Sequence, residues 1–166
     1  MTVLTVQAAL AVALQCAPTL DPYMLVGVAQ HESGLETELV HDNNTGEVLR
    51  GPGTLEAATG LIAAGHSVDL GPWQINSRNL GLLGLNLADT FNPCRSAAGA
   101  QRLLQLFSAY NTGSPTRGIA NGYAMKVVAA TDRVKSSSIQ APTLPRTVAI
   151  EDGPALGEIF FTTEGH

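Results

Sequence analysis

Two dipeptides do most to limit how this chain can fold: Asp21-Pro22 and Asn92-Pro93. In each, a side chain suited to accept hydrogen bonds from the first free N–H groups of a helix precedes a proline. The fixed φ of that proline suits the first helical turn. Each pair therefore predicts a helix start. The helix opened by the first pair carries Leu25, Val28 and Ala29 at i, i+3 and i+4, and the next position on that apolar stripe, i+7, is Glu32. Gly34 ends it. The helix opened by the second pair turns Cys94, Ala97, Ala98, Leu104 and Phe107 inward.

The rest of the chain reads around these two helices. An Ala/Leu stretch over residues 5–15 predicts a first helix, followed by a turn with two prolines. Residues 41–53 are polar, and Asn43-Asn44-Thr45-Gly46 suggests a hairpin or an irregular loop. Thr54 is the expected cap of a helix stopped by Gly65, and residues 68–76 read as an extended or looped connection. A short helix over residues 77–85, a loop at 111–115 and a last helix over 118–135 complete the expected domain, residues 1–135. From Ser136 the periodicity fails and prolines recur, which predicts a flexible C-terminal tail over 136–166. With aromatics at 5%, the core must be largely Ala, Leu, Val and Ile, a composition that favours helix. The expected class is mainly α, with a small hairpin or irregular lobe.

Composition also excludes functions. The net charge is −5 and no Lys/Arg cluster occurs, so a nucleic-acid partner is not expected. The same balance argues that an anionic polymer would have to be held by a specific groove. His31, His41, His66 and His166 lack metal-ligand spacing, and no phosphate-cradling glycine loop is present, so no metal or cofactor is expected. His41-Asp42 reads as a solvated loop pair. The two cysteines, Cys16 and Cys94, are either buried thiols or one disulfide. The apolar run from Val3 to Leu14 lacks a preceding Lys or Arg and a following cleavage site, so it reads as a core helix of a mature domain. An export signal is not expected within this chain, and no stretch is long enough to insert in a membrane.

Glu32 stands out chemically. Burial and the negative end of its helix both disfavour the carboxylate, which would raise its pKa towards that of a general acid. A frayed, solvated helix end is the plain alternative. The surrounding sequence weighs on this choice. Glu32-Ser33-Gly34, then Gly71-Pro72-Trp73-Gln74-Ile75-Asn76, then Ala109-Tyr110-Asn111-Thr112-Gly113, then Asn121-Gly122-Tyr123 follow one another in the order of four motifs of lytic transglycosylases. Over residues 5–135 the chain resembles that family, with its lysozyme-like helical fold. His41-Asp42-Asn43, the run over 74–80 and Asn92-Pro93-Cys94 are most similar to the transglycosylase subunit of type IV secretion systems.

The resemblance implies cleavage of the bond between N-acetylmuramic acid and N-acetylglucosamine in peptidoglycan, with Glu32 as single acid and base and a 1,6-anhydro product. It implies a disulfide between Cys16 and Cys94 and a periplasmic place of work. Ser33, Gln74, Asn76, Tyr110, Asn111 and Tyr123 are the implied substrate-lining residues. Each has a bland alternative: backbone bonding for Ser33, a helix cap for Asn76, core packing for the tyrosines. Pro72-Trp73 replaces the family's Leu-Met, and Trp73 either stacks on a sugar or plugs the core. Asp69 is the only tempting second carboxylate and reads as structural or solvated. The rival readings are a goose-type-like muramidase using the same Glu32, and a wall-binding assembly subunit without catalysis. The tail is a candidate docking segment for other secretion subunits.

Overall fold

The structure, a computed structural model, describes residues 2–112, with side chains described through residue 106. Among the described residues there are five α-helices and one small antiparallel sheet. Helix α1 (Val6–Cys16) begins where the Thr5 hydroxyl accepts the Ala8 N–H, and α2 (Pro22–Glu32) begins at Asp21, whose carboxylate accepts the N–H groups of Tyr23 and Met24. Strands β1 (Leu39–Asp42) and β2 (Val48–Arg50) form the hairpin, and helix α3 (Thr54–Ala63) follows. Strands β3 (Val68–Leu70) and β4 (Ile75–Asn76) lead into a 3-10 turn (Ser77–Asn79) and the one-turn helix α4 (Leu80–Leu83). A second 3-10 turn (Ala88–Phe91) precedes α5 (Pro93–Thr112). The sheet order is β2-β1-β3-β4, antiparallel throughout.

Two apolar clusters organise these elements. The larger joins Ala9, Leu10 and Ala13 of α1, Leu25, Val26 and Ala29 of α2, and Ala97 and Ala100 of α5 around Trp73, Ile75 and Leu83. Five of these residues are alanines, whose small side chains suit close helix packing in a chain poor in aromatics. The smaller cluster packs Val40, Val68 and Leu70 of the sheet on Ala58 of α3. Leu80 packs against both clusters. The mainly α plan with a small β lobe is the one expected, and α1 is a core helix.

Several local expectations need correction. Thr54 does not cap α3. It is the first helical residue, and Gly53, in the left-handed region at φ 91°, holds the cap position without a side-chain bond. The stretch 68–76 is extended as expected, as two short strands joined by a turn, whereas residues 77–85 hold a 3-10 turn and an α turn where one helix was expected. The expected loop at 111–115 begins later, since α5 runs to Thr112. Cys94 is exposed and does not face the core, because it sits on the first turn of α5 at the rim. It is nonetheless bonded to Cys16, with the Cα atoms 5.3 Å apart. That bridge ties the end of α1 to the start of α5 across 78 residues. The last expected helix, Tyr123 and the tail lie outside the described residues.

Candidate active site

Glu32 is the last residue of α2 and is half-buried. Its mount is the chain that follows. Ser33 is buried, and its hydroxyl lies 2.7 Å from the Pro72 carbonyl and 3.0 Å from the Ala29 carbonyl. One hydroxyl proton cannot serve both equally, and the shorter contact crosses to the turn between β3 and β4. The same oxygen accepts the Leu35 N–H at 3.1 Å. Gly34 and Leu35 both take positive φ, at 63° and 68°. For leucine that conformation costs roughly 1–2 kcal/mol. Its retention is explained by burial of the side chain in the larger cluster and by the bond from the Leu4 N–H to the Leu35 carbonyl at 2.9 Å. The segment 2–4 thus straps the chain just after Glu32, with Thr37 N–H donating to the Thr2 carbonyl at 2.9 Å.

The turn that receives Ser33 is rigid for separate reasons. Gly71 has φ 68°, and a Cβ there would stand 2.0 Å from the Thr90 carbonyl oxygen. Its N–H donates to the Leu39 carbonyl at 2.8 Å, so β1 holds the turn from the other side. Gln74, at φ 46°, closes the turn with its own side chain, Nε2 donating to the Gly71 carbonyl at 2.8 Å. Trp73 is 4% exposed and its indole N–H donates to the Leu25 carbonyl of α2 at 2.9 Å. Of the two roles open to Trp73 in the sequence, the geometry has the core plug. No face of the ring is available to a sugar.

The β lobe carries a buried polar network. Asn76 is 3% exposed, donates through Nδ2 to Ser67 Oγ at 2.9 Å and Asp69 Oδ1 at 2.8 Å, and caps the 3-10 turn by accepting the Arg78 N–H at 3.0 Å. Asp69 is 5% exposed and also accepts from Asn43 Nδ2 at 3.0 Å, with His41 Nδ1 3.9 Å away. Asp69 is accordingly a buried member of the network. His41-Asp42 is not a solvated loop pair: both lie on β1, and Asp42 is completely buried. Its carboxylate accepts the Asn44 N–H at 3.0 Å and the Thr45 hydroxyl at 2.7 Å, and pairs with His66 Nδ1 at 2.8 Å. Burial opposes its ionisation, but the bonds from Thr45, Asn44 and His66 and the attraction of His66 outweigh that and hold its pKa below the ordinary value.

The structure therefore gathers Glu32, Ser33 and the turn Gly71–Gln74 at one place, and of the two readings the sequence left open for Ser33, Trp73 and Asn76 it shows backbone bonding, a core plug and a helix cap. Burial explains this: their polar atoms are engaged with protein partners, as buried polar atoms must be. Tyr110 and Asn111 lie on the α5 backbone, with side chains outside those described. What sequence reasoning missed are the acceptors, the carbonyls of Leu25 and Pro72, which carry no side-chain signature. It missed Asp42 and His66 too, though the apolar neighbours Leu39 and Val40 hint at a half-buried strand. Among the described residues no group of three His, Cys, Asp or Glu is placed to hold a metal. No described helix is long and apolar enough to cross a membrane.

Known proteins bear on this geometry. The family model described as Transglycosylase SLT domain matches residues 10–130. Protein virB1 of Agrobacterium fabrum is 38% identical over 143 residues, covering 74% of this chain and 58% of the relative. Protein virB1 of Rhizobium radiobacter is 34% identical over 152 residues, covering 79% and 64% respectively. A Type IV secretion system protein virB1 from Brucella abortus is 28% identical over 167 residues, covering 83% and 70%. The chain thus spans about three fifths of the length of the two more similar relatives. No solved structure matches it.

Proposed function

The chain belongs to the transglycosylase SLT domain family, and we propose that it cleaves peptidoglycan as a lytic transglycosylase with Glu32 as its single acid and base. The Glu32 carboxyl donates its proton to the glycosidic oxygen between N-acetylmuramic acid and N-acetylglucosamine, and the bond from the muramic C1 to that oxygen breaks. The substrate's acetamido group stabilises the electron-poor C1. The Glu32 carboxylate then takes the proton of the muramic 6-hydroxyl as O6 bonds to C1. Glu32 returns to its starting state, the product ends in 1,6-anhydro-muramic acid and no water is consumed. Ordinary glycosidases need two carboxylates about the bond. This reaction needs one, because the nucleophile is part of the substrate.

The observation that carries the reading is the mount of Glu32: a half-buried acid at a helix end, with its neighbour Ser33 bonded to the Pro72 carbonyl of a rigid turn. Asp69, the second carboxylate that a hydrolase could recruit, is buried and engaged by Asn43 and Asn76. The relatives named for type IV secretion support a role at the periplasmic cell wall, opening it locally for a secretion or conjugation machine. Contacts with other subunits of that machine, through residues 136–166, belong to the same proposal, as do glycan contacts of Tyr110, Asn111 and Tyr123.

Mass spectrometry of fragments released from purified peptidoglycan, with Glu32→Gln as control, tests this. Anhydro-ended fragments absent from the control are expected. Reducing-end fragments would mean a muramidase on the same scaffold. Binding without cleavage by either protein would leave a wall-binding assembly subunit.

A further inference from the structure

We propose that Trp73 is a positioning residue for Glu32, acting through its indole N–H as the second of two clamps on α2. This rests on Glu32 being the acid. The first clamp is the bond from the Ser33 hydroxyl to the Pro72 carbonyl at 2.7 Å. The second is the bond from Trp73 Nε1 to the Leu25 carbonyl at 2.9 Å. Leu25 and Ser33 are eight residues apart, about two helical turns, and Glu32 lies between them. The two partners, Pro72 and Trp73, are consecutive residues of one turn.

A carbonyl in mid-helix already accepts the N–H four residues on, so Leu25 gains nothing it lacked. Satisfying an orphan group on α2 therefore does not explain the bond. What the bond adds is a fixed distance between the helix body and the turn. The turn itself cannot drift: Gly71 is locked between the Leu39 carbonyl and Thr90, and Gln74 is closed on Gly71 by its own amide. One clamp would leave α2 free to pivot about Ser33. Two clamps at opposite ends of the acid-bearing segment fix both its translation and its tilt. A side chain without a ring donor fills the same pocket but leaves that pivot free. Proton donation is steeply sensitive to placement of the acid, so the loss should fall on turnover and not on glycan binding.

The chain contains a single tryptophan, so biosynthetic replacement by 3-benzothienylalanine, in which sulfur stands for the ring N–H, changes this position alone and keeps the shape of the plug. Trp73→Phe is the encoded counterpart. Steady-state kinetics on soluble glycan strands, well below the melting point of each protein, should show kcat lowered about three- to tenfold with KM unchanged, the scale of one hydrogen bond lost from the activated complex. Adding Ser33→Ala should cost less in the sulfur-substituted protein than in the native one, because both changes free the same helix. An unchanged kcat, with or without a lower melting point, overturns the proposal, as does a change confined to KM. Full activity in Glu32→Gln would instead overturn the reading of Glu32 itself, so the two failures are distinguishable.

Discussion

Replacing Gly71 by alanine should destabilise the fold far more than the same change at Gly34, and the difference measures how tightly the turn beside Glu32 is held. Both glycines sit in the left-handed region, at φ 68° and 63°. Alanine there costs roughly 1–2 kcal/mol in backbone strain, partly offset by roughly 0.4–1 kcal/mol from a stiffer unfolded chain. For Gly34 that is the whole account, because nothing lies within 4 Å of the added Cβ. About 1 kcal/mol is expected. At Gly71 the new carbon would stand 2.0 Å from the Thr90 oxygen and 2.9 Å from its carbonyl carbon. Neither side can yield cheaply. Thr90 is completely buried, with its hydroxyl bonded to the Leu87 carbonyl at 2.7 Å, and the Gly71 N–H is bonded to β1. Overpacking of this kind adds roughly 1–3 kcal/mol, for a total of about 2–4 kcal/mol. Urea unfolding followed by circular dichroism would register this as a midpoint lower by about 1–3 M, taking a slope of about 1.5 kcal/mol per M. If Gly71→Ala matched Gly34→Ala within 0.5 kcal/mol, a flexible turn would be indicated. The rigid mount described for Glu32 would then be wrong.

Two further outcomes are expected. The pKa of Asp42 is lowered in the fold, so its carboxylate contributes stability that is present above the unfolded-state value near 4 and is lost as pH falls through the folded value. Melting temperature should therefore drop below about pH 4. Asp42→Asn should be less stable than the native protein by roughly 1–3 kcal/mol at neutral pH and lose less on acidification. Equal pH slopes for the two proteins would contradict this. Removing the Cys16–Cys94 bridge by Cys16→Ser with Cys94→Ser reopens a 78-residue separation, worth about 4–5 kcal/mol in the chain-entropy model. A thermal melt within a few degrees of the native protein would show that the bridge adds little.

How much of this was legible depended on the range of the forces involved. The helix starts at Asp21 and Asn92 were readable because a cap is a contact between residues two or three apart. The cap at Asn76 was readable for the same reason. The disulfide came only from the resemblance, since two cysteines 78 apart carry no local signal. What stayed open was the direction in which polar motif residues point. Ser33, Trp73 and Asn76 look like sugar-facing groups because hydroxyls, indoles and amides suit sugars. Their partners are Pro72, Leu25 and Asp69, at separations of 39, 48 and 7 residues. Two of those partners are backbone carbonyls, which every residue possesses and no sequence pattern marks. Asp42 was misread for the converse reason: a run of Asp, Asn, Asn and Thr reads as a wet loop, and only the fold shows that its carboxylate is satisfied without water.

The inward turn of these residues has a consequence for the chemistry proposed. A hydrolase must hold water as a reactant, and its polar residues must face the cleft to do so. When the attacking hydroxyl belongs to the substrate, nothing need be held but the glycan and one proton donor. Polar side chains of the motifs are then free to serve as the mount. Ser33 and Trp73 fasten α2 to the turn, Gln74 closes the turn, and Asn76 joins the turn's exit to Asp69 and Ser67 of the neighbouring strand region. In this arrangement the two apolar clusters are joined through the segment 70–76, with Leu70 in one and Trp73 and Ile75 in the other. That segment is one of the links between the β lobe and the helices, beside Leu80, which packs against both clusters, and through the Pro72 and Trp73 bonds it is also fastened to the helix that carries Glu32.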